Sequence, residues 1–340
     1  MQNKNLLVIG CGNIFTSFHY PILKTEPYQI TAIVEPNKRN FENFVQKEGV
    51  SGITYYATLE EVNFENIDLA LISSPSALHA ATLEFLMAKS IHIFCEKPIF
   101  TQDPENVSLL IKHIQDYSKV IQVGYYRRFS NASNYIKNLI QTGVFGAVNY
   151  VNMKGGWPAK NDLPVSITDK KLSGGGITMD YGSHFIDHCF FWFNDVDLVD
   201  YADDSEGGIE INAAINLKSH SGIPIKIDLS WTNFMGNFIQ VQFEKAIVFL
   251  GFNNPNSIEI LDINFQSQNI NLSKDIKRKT IETTTSPFLE SPAKSEWIEF
   301  RKQMEGEKEN ISNLNQALKV SAIINGCYKT RKKLTLNWGY

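Results

Sequence analysis

Two hydrophobic rhythms divide the chain. Over the first 125 residues, short apolar runs at Leu6–Ile9, Ile30–Val34, Leu69–Ile72, Ile91–Cys95 and Val120–Val123 alternate with longer amphipathic stretches. Runs of this length suit strands buried on both faces. Residues 37–48, Ala77–Ala88 and Glu105–Tyr117 carry the spacing of amphipathic helices. Strand and helix in alternation predict a parallel sheet with helices on both faces. The second half changes period. In 209–217, Ile209, Ile211, Ala213, Ile215 and Leu217 fall on one face. In 223–231, Ile223, Ile225, Ile227, Leu229 and Trp231 oppose Pro224, Lys226, Asp228 and Ser230. Such alternation predicts antiparallel strands with one buried face. Further strands are expected at Phe238–Phe243, Ala246–Leu250 and Ser257–Leu261, and helices at Ser295–Glu305 and Asn313–Arg331. The expected fold class is α/β. A doubly wound parallel sheet spans 1–125, and an α+β domain with a largely antiparallel, open sheet spans 126–340. The last helix is a candidate to pack back on the first domain.

Composition narrows the classes. A chain of 340 residues suggests two domains at roughly 150 residues each. With 43% hydrophobic and 20% charged residues, a disordered chain, a collagen and a coiled coil are excluded. The net charge of −4 comes without a basic stripe, so no nucleic-acid partner is expected. The densest basic cluster, Lys329 to Lys333, reads as a cationic helix C-terminus. Cys11, Cys95, Cys189 and Cys327 form no CxxC pair, which fits a reducing cytoplasm. The first glycine follows only a short apolar run, too short for a signal peptide. No apolar run approaches the ~18 residues of a membrane span. The expectation is a soluble cytoplasmic protein with no membrane partner.

Candidate chemistry begins directly after the first strand, at Gly10-Cys11-Gly12-Asn13-Ile14-Phe15. Two glycines at this spacing let the backbone turn tightly and approach a pyrophosphate at a helix N-terminus. A loop of this pattern in this position is the mark of a Rossmann dinucleotide site, although an ordinary tight turn has the same look. Phe15 stands where a third glycine would allow close helix–strand packing, so wider packing is expected there. Glu35 ends the second strand, where a carboxylate accepts from ribose hydroxyls and repels a 2′-phosphate. That favours NAD, with NADP possible because Lys38 and Arg39 follow.

Three features then coincide: the glycine loop, Glu96-Lys97-Pro98 after the fifth strand, and Gly174-Gly175-Gly176 leading into Asp180-Tyr181-Gly182-Ser183-His184. Together with Val123-Gly124-Tyr125-Tyr126-Arg127-Arg128-Phe129, they resemble the Gfo/Idh/MocA oxidoreductases, the glucose–fructose oxidoreductase and inositol dehydrogenase group. The resemblance implies nicotinamide-dependent oxidation or reduction at a carbinol carbon of a sugar, polyol or nucleotide sugar. It also implies a homodimer or homotetramer formed through the C-terminal sheet. Two other activities are known in such a family, an NAD-binding regulator without turnover and an NAD-dependent glycoside hydrolase.

Taken with the resemblance and the glycine loop, Lys97, Asp180 and His184 are the candidate catalytic residues. Lys97 lies at the carboxyl end of a parallel strand, where open α/β sheets bind ligands, and an ammonium there stabilises a developing alkoxide. Read alone, it is a solvated turn lysine; the strand-end position together with the family resemblance makes it a catalytic candidate. Asp180 and His184 are spaced for one helix face, and histidine suits proton exchange near neutral pH. Their plainer reading is a carboxylate favouring the helix dipole and a satisfied core histidine. His188 extends the face, but Phe185 stands where a zincin has glutamate, so no metal is expected. The candidate cofactor set is Gly10, Gly12, Asn13, Ile14, Glu35, Ser74, His79 and Glu96. His79 also admits a purely structural role. Tyr126, where the family often has asparagine, and Trp157 are candidate substrate contacts. Trp157 could equally pack on the sheet edge.

Overall fold

The computed structural model describes residues 3–101, 107–159, 163–254, 256–263, 276–282, 291–307 and 314–335. The chain forms two compact units, Met1–Tyr125 with Ala293–Leu318, and Tyr126–Pro292 with Lys319–Tyr340.

The first unit is built on a six-stranded sheet, every pair of it parallel. Its strands are β1 (Lys4–Ile9), β2 (Tyr28–Val34), β3 (Thr54–Tyr56), β4 (Leu69–Ile72), β5 (His92–Cys95) and β6 (Ile121–Val123). Their order is β3-β2-β1-β4-β5-β6, so the winding reverses between β1 and β4. In such sheets the crevice at the carboxyl ends of the two strands at the reversal is the ligand-binding position. The apolar runs became these strands because helices cover both faces, and β4 is buried throughout. Thr54–Tyr56 was not expected; an edge strand covered on one side carries no apolar run. The helices Lys38–Glu48, His79–Met87 and Ser108–Gln115 lie where periodicity placed them, with 105 and 106 outside the described residues. The helix Pro292–Met304 adds Trp297 and Phe300 to this core, where Trp297 stacks on Phe94 at 4.3 Å between ring centroids.

In the place of the third glycine, Phe15 is fully buried, 5.1 Å from the ring of Phe44 and 6.0 Å from that of Tyr20. The helix there, Ile14–His19, winds with the wide i→i+5 turn before tightening at Tyr20–Leu23. The wider packing expected from a phenylalanine is thus taken up by the helix itself.

The second unit holds a nine-stranded mixed sheet: β7 (Val148–Gly156), β8 (Val196–Asp203), β9 (Asn212–Ser219), β10 (Pro224–Ser230), β11 (Phe238–Phe243), β12 (Ala246–Gly251), β13 (Ser257–Ile263), β14 (Ile276–Glu282) and β15 (Lys332–Lys333). The order is β14-β13-β12-β11-β7-β10-β9-β8-β15. All pairs are antiparallel except β7 with β10 and β8 with β15. Two expectations need correcting. The strand read at 209–217 starts only at Asn212, because Glu210 turns inward and is buried. The polar side of β10 is not a solvated face, since Asp228 and Ser230 are both buried; Asp228 sits 3.0 Å from the Lys226 ammonium.

Candidate active site

In the first unit the candidate residues gather at the carboxyl edge of the sheet. Gly10 has φ +95°, and a Cβ there would stand 2.9 Å from the backbone of Ser73 and Ser74. Only glycine meets both demands. Before Gly12 the space is open, with nothing within 4 Å of where a Cβ would lie. Asn13 and Ile14 are exposed beside it. A cavity of about 320 Å³ adjoins the loop, lined by Cys11, Gly12, Asn13, Asn40, Phe44 and Lys47 among others.

Glu35 is held from two sides. Its Oε2 accepts from the Cys11 N–H at 2.8 Å, and its Oε1 accepts from the Asn37 N–H at 3.0 Å and Asn40 Nδ2 at 3.1 Å. The carboxylate therefore ties the glycine loop to the head of helix Lys38–Glu48. The Lys38 ammonium is turned to Glu42 at 3.7 Å.

The Glu96-Lys97-Pro98 turn follows β5, and its Lys97–Pro98 peptide is cis. Oε2 of Glu96 accepts from the Lys97 N–H at 3.2 Å, and Oε1 accepts from His19 Nε2 at 2.8 Å. His19, fully buried, receives the indole N–H of Trp297 on Nδ1 at 3.1 Å. Gly124 makes room for this carboxylate, since a Cβ there would lie 2.8 Å from Glu96 Oε1. Burial pushes the Glu96 carboxyl up, but the hydrogen bond from His19 and the nearby Lys97 ammonium bring it below its ordinary value. His79 braces the same turn from the other side. Its ring nitrogens face Pro98 O at 2.8 Å and Ser74 O at 2.9 Å. Beside it, Ser74 Oγ is buried with no hydrogen-bond partner among the described residues. Open space at Gly12, a positive-φ turn at Gly10 and this orphaned hydroxyl fit a dinucleotide laid along the edge.

In the second unit, the glycine triplet is pressed against its neighbours. A Cβ on Gly175 would meet Tyr328 Oη at 2.0 Å, and one on Gly176 would meet Glu210 O at the same distance. Glu210 organises the loop by accepting from the Gly176 and Thr178 N–H groups at 3.0 Å and from Tyr328 Oη at 2.8 Å. Residues Thr178–Gly182 then wind with wide i→i+5 turns, and a regular helix runs only over Ser183–Phe193. Asp180 and His184 thus straddle the junction of two windings rather than one α-helical face. Wide turns of this kind recur at functional sites.

His184 is buried, and its ring meets that of Tyr126 edge-on at 5.6 Å. Trp157 keeps 38% of its surface exposed and packs edge-on to Tyr181 at 5.2 Å. His188 Nδ1 lies 2.9 Å from His184 O, and burial, reinforced by Arg127 and Arg128, pulls the imidazole down to about 3. Arg128 is paired with the buried carboxylate of Asp187, Nε donating at 3.0 Å. Among the described residues no group of three His, Cys, Asp or Glu is placed to hold a metal ion, and no helix is long and apolar enough to cross a membrane.

Sequence reasoning missed His19, Trp297 and Glu210. The spacing Phe15, His19, Leu23 was a usable signal, since it puts the histidine on the apolar face of its helix. Nothing local marked the other two.

Comparison with known proteins places this arrangement in the class of NAD-binding Rossmann oxidoreductases. Residues 4–125 match the oxidoreductase family with an NAD-binding Rossmann fold, GFO_IDH_MocA, and residues 134–249 match the GFO/IDH/MocA C-terminal domain. The chain belongs to the Gfo/Idh/MocA family. It is 27% identical over 183 residues to the uncharacterized oxidoreductase YrbE of Bacillus subtilis, covering 53% of this chain and 51% of that protein. The match thus spans about half the length of such curated relatives. Among solved structures, a 3-ketoreductase from Actinomadura kijaniata in complex with NADP and TDP-benzene aligns with TM-score 0.79 at 15% identity, covering 98% of this chain and 99% of that one. The aldose–aldose oxidoreductase from Caulobacter crescentus complexed with glycerol aligns with TM-score 0.81 at 16% identity, covering 97% of both chains. At these identities the structural likeness speaks for the fold.

Proposed function

We propose that this chain interconverts a secondary alcohol and a ketone on a sugar, polyol or nucleotide sugar. The observation that carries the reading is the pinned Lys97: a lysine at the carboxyl edge of the parallel sheet, its backbone held by the partly buried Glu96 carboxylate, two strands from the glycine loop. A 3-ketoreductase and an aldose–aldose oxidoreductase among the structural neighbours are consistent with a carbohydrate substrate. NAD, or NADP in its place, supplies the hydride acceptor or donor when bound.

The chain's own residues do the rest. The N–H groups around Gly10, Gly12, Asn13 and Ile14 meet the pyrophosphate, Glu35 receives ribose hydroxyls, and Ser74 offers a hydroxyl. Glu96 and His79 hold the turn that presents Lys97. The Lys97 ammonium donates to the substrate oxygen and stabilises the alkoxide left by proton removal, which becomes the carbonyl as hydride departs. His184 takes the hydroxyl proton and returns it in the reverse direction. Asp180 orients, and Tyr126 and Trp157 offer walls for the sugar. We also assign dimer or tetramer formation to the outer face of the second sheet. Asn216, Lys226, Asn152, Gln240, Phe249 and Glu259 form one half-buried row across its strands. Light scattering of the purified protein reads that directly.

Reduced-nicotinamide absorbance with NAD and NADP against polyols, sugars and nucleotide sugars tests the activity. Lys97→Met is expected to abolish turnover with NADH affinity kept within about threefold, well under 1 kcal/mol. His184→Ala is expected to do the same. Turnover that survives both changes, or loss of NADH binding together with turnover, contradicts the assignment.

A further inference from the structure

Beside the helix that carries His184 lies a cavity of about 170 Å³, to which Tyr126 alone of the residues given roles above contributes. Tyr126, Arg127, Ser130, His188 and Phe252 are among its lining residues, and no carboxylate among the described residues lines it. The two adjacent arginines at this point meet different fates. Arg128 is neutralised by Asp187. Arg127 makes no ion pair among the described residues. Its guanidinium lies 3.8 Å from the centroid of the Phe252 ring, and Nη1 donates to Phe252 O. Nε is buried with no acceptor among the described residues. The Nε–Nη2 edge that this leaves is the side of a guanidinium that matches two oxygens of a carboxylate or phosphate. Arg127 is half-buried, and a partly desolvated cation with no counter-charge among the described residues gains from a bound anion.

The rest of the lining points the same way. Ser130 Oγ accepts from the Ser133 N–H as the cap of helix Asn131–Thr142, so the positive end of that helix opens on the cavity. His188 stays neutral there, partly because of the two guanidinium charges. Tyr126 connects the cavity to the proposed proton acceptor: its ring is 5.6 Å from that of His184 and 5.2 Å from the Arg127 guanidinium carbon.

We infer that this cavity binds an anionic oxygen group of the substrate, a carboxylate or a phosphate, and that Arg127 determines this specificity. The inference rests on the dehydrogenase reading and narrows it: the substrate is an acidic or phosphorylated sugar rather than a neutral one.

The test is calorimetric titration of the protein saturated with NADH, using D-glucuronate, glucose-6-phosphate and UDP-glucose against neutral D-glucose. At least one anionic probe is expected to bind about tenfold more tightly than D-glucose, the scale of one charge-assisted pair. The probe that does so separates carboxylate, monoester and diphosphate. Arg127→Gln, which keeps a stem over Phe252, is expected to erase the preference, and Arg127→Lys to retain part of it. Thermal unfolding and NADH affinity report whether each variant is intact; if Arg127→Gln is not, Arg127→Lys carries the comparison. Equal affinity for charged and neutral probes overturns the inference. So does a preference that survives Arg127→Gln, or no binding of any probe to NADH-loaded protein. NADH uptake is read separately, so uptake without charge preference removes this inference and leaves the dehydrogenase reading standing.

Discussion

The indole N–H of Trp297 donates to Nδ1 of His19 at 3.1 Å, and that bond decides which nitrogen of the imidazole meets Glu96. An indole nitrogen only donates, so Nδ1 accepts and Nε2 carries the proton given to Glu96 Oε1. The chain of contacts reaches the backbone of Lys97. A residue far along the sequence thereby sets the carboxylate that pins the candidate catalytic turn.

His19→Gln should lower stability above the ordinary glutamate range and flatten its decline towards acid. In the native chain Glu96 is held below its ordinary value, so its contribution is complete above the unfolded value and is lost as the pH falls through the folded one. Without His19, burial pushes the carboxyl up with less opposition, so less of this contribution exists to be lost and the two curves converge as the pH falls. Thermal midpoints between about pH 3 and 6 for both proteins measure this, bracketing the ordinary glutamate value. Coincident curves would show that His19 has no hold on Glu96.

Glu35→Gln separates charge from scaffolding. The amide keeps an oxygen for the Cys11 or Asn37 N–H but removes the negative charge facing a 2′-phosphate. The ratio of NAD to NADP affinity should fall by about tenfold, or about 1.4 kcal/mol, with fold stability little changed. Fluorescence titration with each reduced cofactor reads the ratio. An unchanged ratio would mean that the charge of Glu35 takes no part in the choice.

Stability should decline as the pH falls below the ordinary histidine range. Burial lowers His92 to about 4, helped by Lys119 and Lys4, and lowers His188 to about 3. Folding depresses both, so the unfolded chain binds protons first as the pH drops below about 6.5. Stability is therefore full above that value and lost progressively towards the folded values. For the fully buried His188 the limiting slope is about 1.4 kcal/mol per pH unit. His188→Asn should flatten the decline between about pH 6.5 and 4.5, measured by urea unfolding. A slope equal to that of the parent protein would remove His188 from the account.

Glu210→Ala strands three donors: the Gly176 and Thr178 N–H groups and Tyr328 Oη. Buried donors without acceptors cost about 1–3 kcal/mol each, so a loss of about 3–5 kcal/mol is expected. Burial pushes the Glu210 carboxyl above its ordinary range despite its donors. The neutral Glu210→Gln should therefore cost much less than alanine. Urea unfolding of the pair decides it, and equal losses would show that packing volume rather than hydrogen bonding holds the glycine triplet.

What the sequence determined by itself follows from short-range physics. Strands covered on both faces must be apolar without a break, so Leu69–Ile72 was legible as β4 residue for residue. Phe238–Phe243 alternates because one face packs inward, and it too was legible in full. The glycine loop, the Glu-Lys-Pro turn and the Asp180–His184 pair are local patterns, and they were enough to name the family. Tertiary structure decided the rest. Val148–Gly156 mixes asparagine, lysine and glycine and gave no strand signal, yet β7 is paired on both sides within the sheet. Glu210 looked like the solvated side of a strand, because a sequence does not say where a carboxylate finds its donors. Arg127 and Arg128 are adjacent and chemically alike, and only the placement of Asp187 makes one a buried ion pair and leaves the other facing a cavity. Periodicity records which side chains leave water. Which partners they then meet depends on chain segments brought together from far apart, as Trp297 is with His19, and no local pattern carries that information.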